Sequence, residues 1–331
     1  MKIAVTGASG YLGSHFVQSA LDQGGQVSGL AFPDIPPDSP TRERLTWVRG
    51  SINDVGIVSQ LLAGADVIVH LASFVHRQTV TAKDIELCRR TNVDGMQVVL
   101  NVAHEQPKPP FIIFMSTRAV YAPSEHMCDE QSLCRPITVY GQTKLEAEKI
   151  LLEGIKNKTV RGCILRPSVI YGPGAPGNVL RLFGLIDRGI VPLINGGANQ
   201  KSLVYIDNIV RIIWTCIQMD SVTNGNIYNI SDMPLLTMRD VVERSAAHLD
   251  KSPIIISVPY WLAQGILGLH DRFLGKFRGK VYLPTLHAFA EPGAVTSQKL
   301  ADATGYQQSV SIEDGLQRMA QWYRVAKART E

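Results

Sequence analysis

A tyrosine and a lysine four residues apart, Tyr140 and Lys144, open a predicted helix over 139–153. That spacing places both side chains on one face of the helix. A tyrosine with its ordinary pKa of about 10 is a poor base at neutral pH, and a nearby ammonium group favours the phenolate. We therefore predict that Tyr140 exchanges a proton with a substrate hydroxyl and that Lys144 lowers the Tyr140 pKa. Ser116 and Thr117, at the end of a predicted strand over 111–116, provide hydroxyls that would polarise the substrate oxygen.

A glycine-rich turn lies between a predicted strand over 2–6 and a predicted helix over 14–23. Gly7, Gly10 and Gly13 have the spacing GxxGxxG. Because glycine has no side chain, the backbone can approach a pyrophosphate, and the helix N-terminus offers N–H groups and a partial positive charge. In this strand–turn–helix context the three glycines predict dinucleotide binding.

The end of the second predicted strand, over 27–32, bears on which dinucleotide binds. NAD recognition uses an acidic residue there, which bonds the ribose 2′-hydroxyl. This chain has Leu30-Ala31-Phe32 instead, and Arg42 and Arg44 follow at a short distance. A ribose 2′-phosphate would need such a cation. The sequence therefore favours NADP over NAD and leaves NAD open.

The predicted elements alternate between strand and helix as far as residue 171. One of them, Asp66–Ala72, is a continuous apolar strand, as buried parallel strands are. This alternation predicts an α/β fold, a doubly wound parallel sheet of the Rossmann kind. Beyond Tyr171 the rhythm changes, although predicted strands over 202–206 and 226–230 follow. We expect a dinucleotide-binding domain of residues 1–172 and about 202–232, and a smaller, partly discontinuous substrate-binding region of about 173–201 and 233–331.

The composition is that of a globular chain: 331 residues, 45% hydrophobic, with a formal net charge of +4. It excludes a mainly disordered chain, and without a basic cluster it argues against nucleic acid as a partner. Five cysteines without CxxC spacing indicate free thiols in a cytoplasmic protein; we predict no metal site and no signal peptide. The most apolar stretch, 254–269, is shorter than a membrane span. We interpret it as a segment over a site, with membrane-surface binding as the alternative.

Motifs distributed over nearly the whole chain carry a resemblance. They are TGASGYLG at 6–13, HLAS at 70–73, TNVDG at 91–95, MSTRAVY at 115–121, YGQTK at 140–144, LRPSVIYGPG at 165–174 and SLVYIDNIV at 202–210. Together they resemble the extended short-chain dehydrogenases/reductases of the NAD-dependent epimerase/dehydratase family. The pattern is most similar to nucleotide-sugar 4-epimerases and 4-ketosugar reductases of surface-polysaccharide synthesis, which implies a UDP-sugar as the favoured substrate.

The resemblance implies hydride transfer at a sugar carbon, with Tyr140 moving the proton, Lys144 supporting it, and Thr117, beside Ser116, bonding the oxyanion. Asn92 would support the lysine through its backbone and a water molecule. The expected dinucleotide contacts are Gly7, Ser9, Gly10, Tyr11, Leu12, Gly13, Phe32, Arg42, Ile52, Leu71, Ala72, Ser73, Asn92, Tyr140, Lys144 and Pro167. The expected substrate contacts are Thr117, Arg118, Asn178 and Lys201. By the same analogy a homodimer would form through the helices near 85–105 and 139–153.

The chain departs from the family pattern at several positions. Dehydratases carry Asp-Glu after the catalytic threonine, and this chain has Arg118-Ala119, so we do not expect dehydration. Lys201 replaces an arginine that grips a diphosphate, a second such arginine is absent near 290–294, and Ser51 replaces an aspartate that contacts adenine.

These departures keep an alternative open. It is an NADP-dependent reductase or 3β-hydroxysteroid-type dehydrogenase that acts on a small apolar carbonyl or alcohol, as the apolar stretch 254–269 would suit. A non-catalytic regulator on the same fold is disfavoured, because Tyr140 and Lys144 are both present.

Overall fold

The computed structural model describes residues 1–33, 44–75, 81–262 and 293–328. Its centre is a sheet of seven strands: β1 (Lys2–Thr6), β2 (Gln26–Ala31), β3 (Leu45–Arg49), β4 (Val67–His70), β5 (Phe111–Met115), β7 (Arg161–Pro167) and β12 (Ile227–Ile230). They lie in the order β3-β2-β1-β4-β5-β7-β12, and every neighbouring pair is parallel. The predicted doubly wound α/β fold is confirmed.

Helices pack on both faces of this sheet because successive strand residues point to opposite sides. In β4, Val67 and Val69 join one hydrophobic cluster, and Ile68 joins the other. The helices are α1 (Tyr11–Asp22), α2 (Val55–Leu62), α3 (Ala82–Arg89), α4 (Gly95–His104), α5 (Val139–Lys156), α6 (Asn178–Asp187), α7 (Ile206–Gln218), α8 (Asp220–Thr223), α9 (Met238–His248), α10 (Gln298–Thr304) and α11 (Ile312–Ala328). None of these helices is long and apolar enough to cross a membrane.

Three small sheets are built mostly from the second half of the chain. One has four strands in the order β13-β10-β15-β6: β13 is Leu236–Thr237, β10 is Gln200–Lys201, β15 is Gly293–Val295 and β6 is Ser124–Cys128. The other two are parallel pairs, β8 (Val169–Tyr171) with β11 (Leu203–Tyr205), and β9 (Ile190–Ile194) with β14 (Ile254–Val258). The sequence did not predict β6, β9 or β14.

Two predicted elements are divided in the structure. The helix expected over 84–105 contains a π-helical turn at Arg90–Asp94, between α3 and α4. The strand expected over 161–171 splits at Ser168, because β7 stays in the central sheet while β8 pairs with β11. Both breaks are close to the positions at which the site is built.

The parallel strands bring the predicted motifs to one edge of the central sheet. Thr6, the last residue of β1, is in register with His70, the last residue of β4, which is in register with Phe114 near the end of β5. The segments that follow these strands therefore meet. They are the glycine turn, the loop from Leu71 and the pair Ser116-Thr117. This carboxyl edge is where ligands bind in such sheets.

Candidate active site

The glycine turn leaves no room for a side chain at Gly7 or at Gly13. A Cβ on Gly13 would lie 2.1 Å from the Gly7 carbonyl oxygen, and a Cβ on Gly7 would lie 2.8 Å from the Ala72 nitrogen. Gly10 caps α1 without a side-chain hydrogen bond, so no side chain satisfies the first N–H groups of the helix. This cradle fits a pyrophosphate. The same turn contains the other three expected contacts, Ser9, Tyr11 and Leu12.

The loop after β4 is fixed to the glycine turn through Thr6. The Thr6 hydroxyl oxygen accepts hydrogen bonds from the Leu71 and Ala72 N–H groups, each at 3.0 Å, and bonds His70 Nδ1 at 2.8 Å. Because that oxygen already accepts two hydrogen bonds, we assign its proton to Nδ1. Burial lowers the pKa of His70 to about 3, so this residue is neutral and structural.

Asn92 connects the next stretch of the same loop to α5. It lies in the π-helical turn and is buried. Its side-chain amide accepts from the Phe74 N–H at 2.8 Å and from the Ser73 hydroxyl at 3.2 Å, and donates to the Thr143 hydroxyl at 3.0 Å. Asn92 is thus joined to Thr143, the neighbour of Lys144, and its expected support of Lys144 through the backbone and a water molecule stays a prediction. π-helical turns are frequent at functional sites.

Of the two cations expected near a ribose phosphate, the structure describes Arg44, and it lies away from the end of β2. Arg42 lies outside the described residues, and the Arg44 guanidinium lies 3.2 Å from the position of a Cβ on Gly24, which precedes β2. Arg44 is thus at the amino edge of the sheet, opposite the glycine turn. Phe32 follows β2 directly and is 67% exposed.

Arg49, which sequence reasoning missed, ends β3 beside the end of β2. It is in register with Ala31, and its Nε donates to the Pro33 carbonyl at 3.2 Å. Its position at the end of the third predicted strand was the available signal. Of the arginines the structure describes next to β2, it is the one at the carboxyl edge.

The residues after β3 have structural partners. Ile52 is buried, and a Cβ on Gly95 would lie 2.8 Å from its Cγ2, so Ile52 packs against the start of α4. Asp54, the first carboxylate after β3, caps α2 by accepting from the Gly56 and Ile57 N–H groups at 2.9 and 3.1 Å. The Asp54 carboxylate thus already accepts hydrogen bonds from the protein backbone.

Tyr140 and Lys144 lie on the first two turns of α5, which Thr138 caps. The Tyr140 hydroxyl bonds the side chains of Ser73 and Thr117, which comes from the opposite side of the site. Burial raises the Tyr140 pKa, and these two hydrogen bonds lower it in part. Burial of the hydroxyl is the larger effect on the Tyr140 pKa, and the expected lowering of that pKa by Lys144 stays a prediction.

Lys144 is itself almost completely buried. It is 1% exposed, and its Nζ lies 4.1 Å from the centre of the Phe114 ring. Burial lowers the Lys144 pKa to about 7, opposed by the negative charge of Glu148 and by Cys88. The Lys144 pKa is thus close to neutral pH, where the side chain can gain or lose its proton.

The two hydroxyls at the end of β5 have different partners. Thr117 bonds the Tyr140 hydroxyl and also accepts from the Ala119 N–H at 3.1 Å, capping a short 3₁₀ turn. Ser116 is 3% exposed and donates its hydroxyl proton to Glu148. Thr117 therefore faces Tyr140, and Ser116 does not. Pro167 ends the neighbouring strand β7 at the same edge.

A cleft of about 680 Å³ lies between β6, the end of β9, β10 and β15. Its lining includes Asn195, Gln200 and Tyr260. The guanidinium of Arg118 lies against Gly293 in β15, 2.2 Å from where a Cβ would be. Arg118 thus joins the segment that follows Thr117 to the sheet that forms the cleft.

Among the described residues that line this cleft there is none of the four expected substrate contacts, Thr117, Arg118, Asn178 and Lys201. Lys201 is only 6% exposed within the four-stranded sheet, and Gln200 before it lines the cleft instead. Asn178 begins α6, where its side chain accepts from Arg181 at 3.5 Å. Sequence reasoning missed Gln200 and Tyr260, since the chain brings them together through strands it did not predict.

The fold and this geometry define a class of protein. They are those of an extended short-chain dehydrogenase/reductase. Its features here are a parallel sheet with a glycine turn, a tyrosine and a lysine four residues apart, and a threonine hydroxyl against that tyrosine.

The comparisons with known proteins give the family. The model of the NAD dependent epimerase/dehydratase family matches residues 3–231, and the chain belongs to this family. The N-acetyl-alpha-D-glucosaminyl-diphospho-ditrans,octacis-undecaprenol 4-epimerase of Escherichia coli O157:H7 is 31% identical over 329 residues, covering 97% of this chain and 95% of the relative. The UDP-glucose 4-epimerase of Vibrio cholerae is 26% identical over 333 residues, with 99% and 97% covered. The resemblance drawn from the motifs is confirmed.

A solved structure gives the same fold. The UDP-glucuronic acid 4-epimerase of Bacillus cereus, in complex with UDP-glucuronic acid and NAD, has a TM-score of 0.78 at 23% identity. The match covers 98% of this chain and 100% of the neighbour.

Proposed function

We propose that this protein transfers hydride at C4 of a sugar carried on a nucleotide diphosphate, as a 4-epimerase, with a UDP-sugar as the favoured substrate. The observation that carries the proposal is the Tyr140 hydroxyl, which bonds Thr117 from β5 and lies on the same helix as Lys144. The names of the two curated relatives favour an epimerase over a 4-ketosugar reductase.

The side chains have separate roles in this proposal. Tyr140 takes the proton of the sugar hydroxyl and later returns it, while Thr117 donates a hydrogen bond to the same oxygen. Lys144, in its ammonium form, stabilises the phenolate of Tyr140. A bound nicotinamide dinucleotide supplies a hydride acceptor and donor. Arg118-Ala119 after Thr117 offers no acid for elimination, which disfavours dehydration.

The dinucleotide would be held by the glycine turn and the loop of Leu71, Ala72 and Ser73. The chain at the end of β2, Leu30-Ala31-Phe32, has no acid, and this and the position of Arg49 suit a ribose 2′-phosphate, whereas the solved neighbour contains NAD and gives no support to NADP. We therefore propose a nicotinamide dinucleotide with NAD and NADP both open.

The experiment starts from freshly purified protein. Heat denaturation followed by chromatography and mass measurement identifies any released dinucleotide. The same protein is then incubated with UDP-glucose and with UDP-N-acetylglucosamine, and the C4 epimers are separated, with Tyr140→Phe as the control. Epimer formation without added reductant supports the proposal. Consumption of NADPH on a carbonyl substrate, with no binding of UDP, would replace it with the reductase alternative.

A second candidate differs only in what carries the sugar: a lipid diphosphate in place of a nucleotide. Apolar side chains are exposed beside the cleft: Tyr260, which lines it, is 48% exposed, Trp261 73% and Ile256 46%. A lipid chain would cover such a surface. The Escherichia coli relative is named for a sugar joined to undecaprenol through a diphosphate.

Competition between the two carriers decides between the candidates. UDP-N-acetylglucosamine and undecaprenyl-diphosphate-N-acetylglucosamine are offered in detergent to the wild type and to Trp261→Ser. Val325→Ser, which changes an exposed apolar residue on α11, is the control. A Trp261→Ser loss confined to the lipid-linked substrate supports the second candidate. Turnover of UDP-N-acetylglucosamine alone rejects it.

Three further properties are proposals. A homodimer through α3, α4 and α5 is supported by the exposed Ile85 and Leu87 on α3, and light scattering would test it. The division into a dinucleotide-binding domain and a substrate region is supported by the return of β12 to the central sheet. A cytoplasmic location is supported by the five free cysteines.

A further inference from the structure

A buried carboxylate lies one helical turn beyond Lys144 and has no part in the roles given above. Tyr140, Lys144 and Glu148 are spaced four residues apart on α5 and thus follow one side of the helix. Glu148 is 1% exposed. It accepts the Ser116 hydroxyl from the end of β5. Glu148 therefore touches the segment that carries Thr117 and neighbours the lysine.

An arginine from β7 holds this carboxylate with a two-point fork. Arg166 Nε donates to Glu148 Oε1 at 2.9 Å, and Nη2 donates to Oε2 at 2.5 Å. The third nitrogen, Nη1, donates to the Tyr121 hydroxyl at 2.7 Å, and Tyr121 donates to Asn229 Oδ1 in β12 at 3.0 Å. The network thus fixes Glu148 from three strands.

A buried ion pair of this kind is weak evidence for stability, because the desolvation of both charges offsets their attraction. Its position suggests another role. Resting on the proposed function, we propose that Glu148, held by Arg166, is a positioning residue: its charge keeps the proton on Lys144, and its hydrogen bond turns Ser116 away so that, of the two hydroxyls at the end of β5, Thr117 faces Tyr140.

The other charged or titratable groups around Lys144 leave this task to Glu148. His70 on β4 is neutral, and the Cys88 thiol from α3 acts on Lys144 less than Glu148 does. Around Glu148 itself lie Arg166, Tyr121 and Cys134. Since burial lowers the Lys144 pKa to about 7 even though the Glu148 charge raises it, removal of that charge would lower the Lys144 pKa further.

The test measures the Lys144 pKa directly. Lysine is labelled with ¹³C at Cε, its chemical shift is followed against pH by NMR, and Lys144→Arg assigns the signal. We expect Glu148→Gln to lower the Lys144 pKa by about one unit or more, because a buried charge close to a titrating group shifts its pKa by that amount. Arg166→Gln, which leaves the carboxylate without its counter-charge, should raise it. The double variant Glu148→Gln/Arg166→Gln should lie between the two.

The Lys144 pKa is expected to fall in Glu148→Gln and to rise in Arg166→Gln, and these opposite changes separate a positioning role from a merely structural one. A merely structural role would change the stability of the variants and leave the Lys144 pKa of each folded variant unchanged. That unchanged pKa would overturn the proposal. If one single variant fails to fold, circular dichroism shows it, and the other two still give an ordered pair relative to wild type. No substrate enters the measurement, so its failure is distinct from a failure of the proposed 4-epimerase activity.

Discussion

The two sides of the candidate site are held with different firmness. On the dinucleotide side, Asn92, Lys144 and Glu148 are buried, and hydrogen bonds join their elements to the neighbouring loops and strands. On the side that we propose for the substrate, β9 and β14 form a two-stranded sheet in which Ile254 is 67% and Ile256 46% exposed. The groups assigned to the chemistry are thus fixed, and the surface that would meet the sugar carrier is open.

This difference indicates how one reaction can serve several substrates. The proton-transfer groups need positions accurate to a fraction of an ångström, which buried hydrogen bonds provide. The carrier of the sugar needs only a surface of matching chemistry. Relatives that differ between a nucleotide and a polyprenyl carrier are consistent with this division.

The largest effect is expected for Tyr140→Phe. It removes the hydroxyl and keeps the ring, so the C4 epimerisation of UDP-glucose should fall by about 10²–10⁴-fold, the usual contribution of a general acid–base group. Chromatography that separates UDP-glucose from its C4 epimer measures the rate. A loss of less than about tenfold would mean that the fixed side of the site does not carry the chemistry.

Thr117→Ala comes next and is compared with Ser116→Ala. Loss of the Thr117 hydroxyl should lower kcat by about 10²-fold, as for other donors to a developing oxyanion. Ser116→Ala should lower kcat less and the free energy of unfolding by about 1–3 kcal/mol, because it leaves a buried acceptor of Glu148 with one fewer donor. Equal losses of kcat in both variants would contradict the assignment of Thr117. Steady-state kinetics and urea unfolding provide the two readings.

The same division explains what the sequence could predict. Gly7 and Gly13 belong to one short motif, and Tyr140 and Lys144 belong to another. The alternation of apolar strands with helices was enough to predict the sheet that brings the two motifs together. Glu148 was visible as a third residue at the same spacing of four.

The substrate side was much harder to predict. Gln200 and Tyr260 meet through β9, β10 and β14. An Asn-Gly-Gly turn follows β9, but β14 pairs with β9 from far along the chain, and no local pattern predicts that pairing. Lys201 was expected to grip a diphosphate because of its motif, and the alternation of side chains along β10 instead leaves it buried.

The pH dependence of stability shows whether water is excluded from His70. The folded protein keeps His70 neutral down to about pH 3, whereas the unfolded chain protonates it near pH 6.5. Stability should therefore fall as the pH drops below 6.5, by about 2 kcal/mol at pH 5. In His70→Asn, whose amide oxygen can still accept from Thr6, that part of the pH dependence should vanish. Urea unfolding of both proteins at pH 5 and 7 measures it; parallel curves would show that water reaches this histidine.

The smallest effect is expected on the open side, from Gly293→Ala. The added Cβ would lie 2.2 Å from the Arg118 guanidinium, so Arg118 must move. We expect the KM for the sugar substrate to rise by about fivefold, equivalent to about 1 kcal/mol, while dinucleotide binding is unchanged. Gly184→Ala in α6 is the matched control, because its Cβ would meet only the Tyr323 hydroxyl, at 3.9 Å. Since the open side has few fixed partners, a loss of kcat in Gly293→Ala as large as that of Thr117→Ala would show that Arg118 belongs to the fixed side.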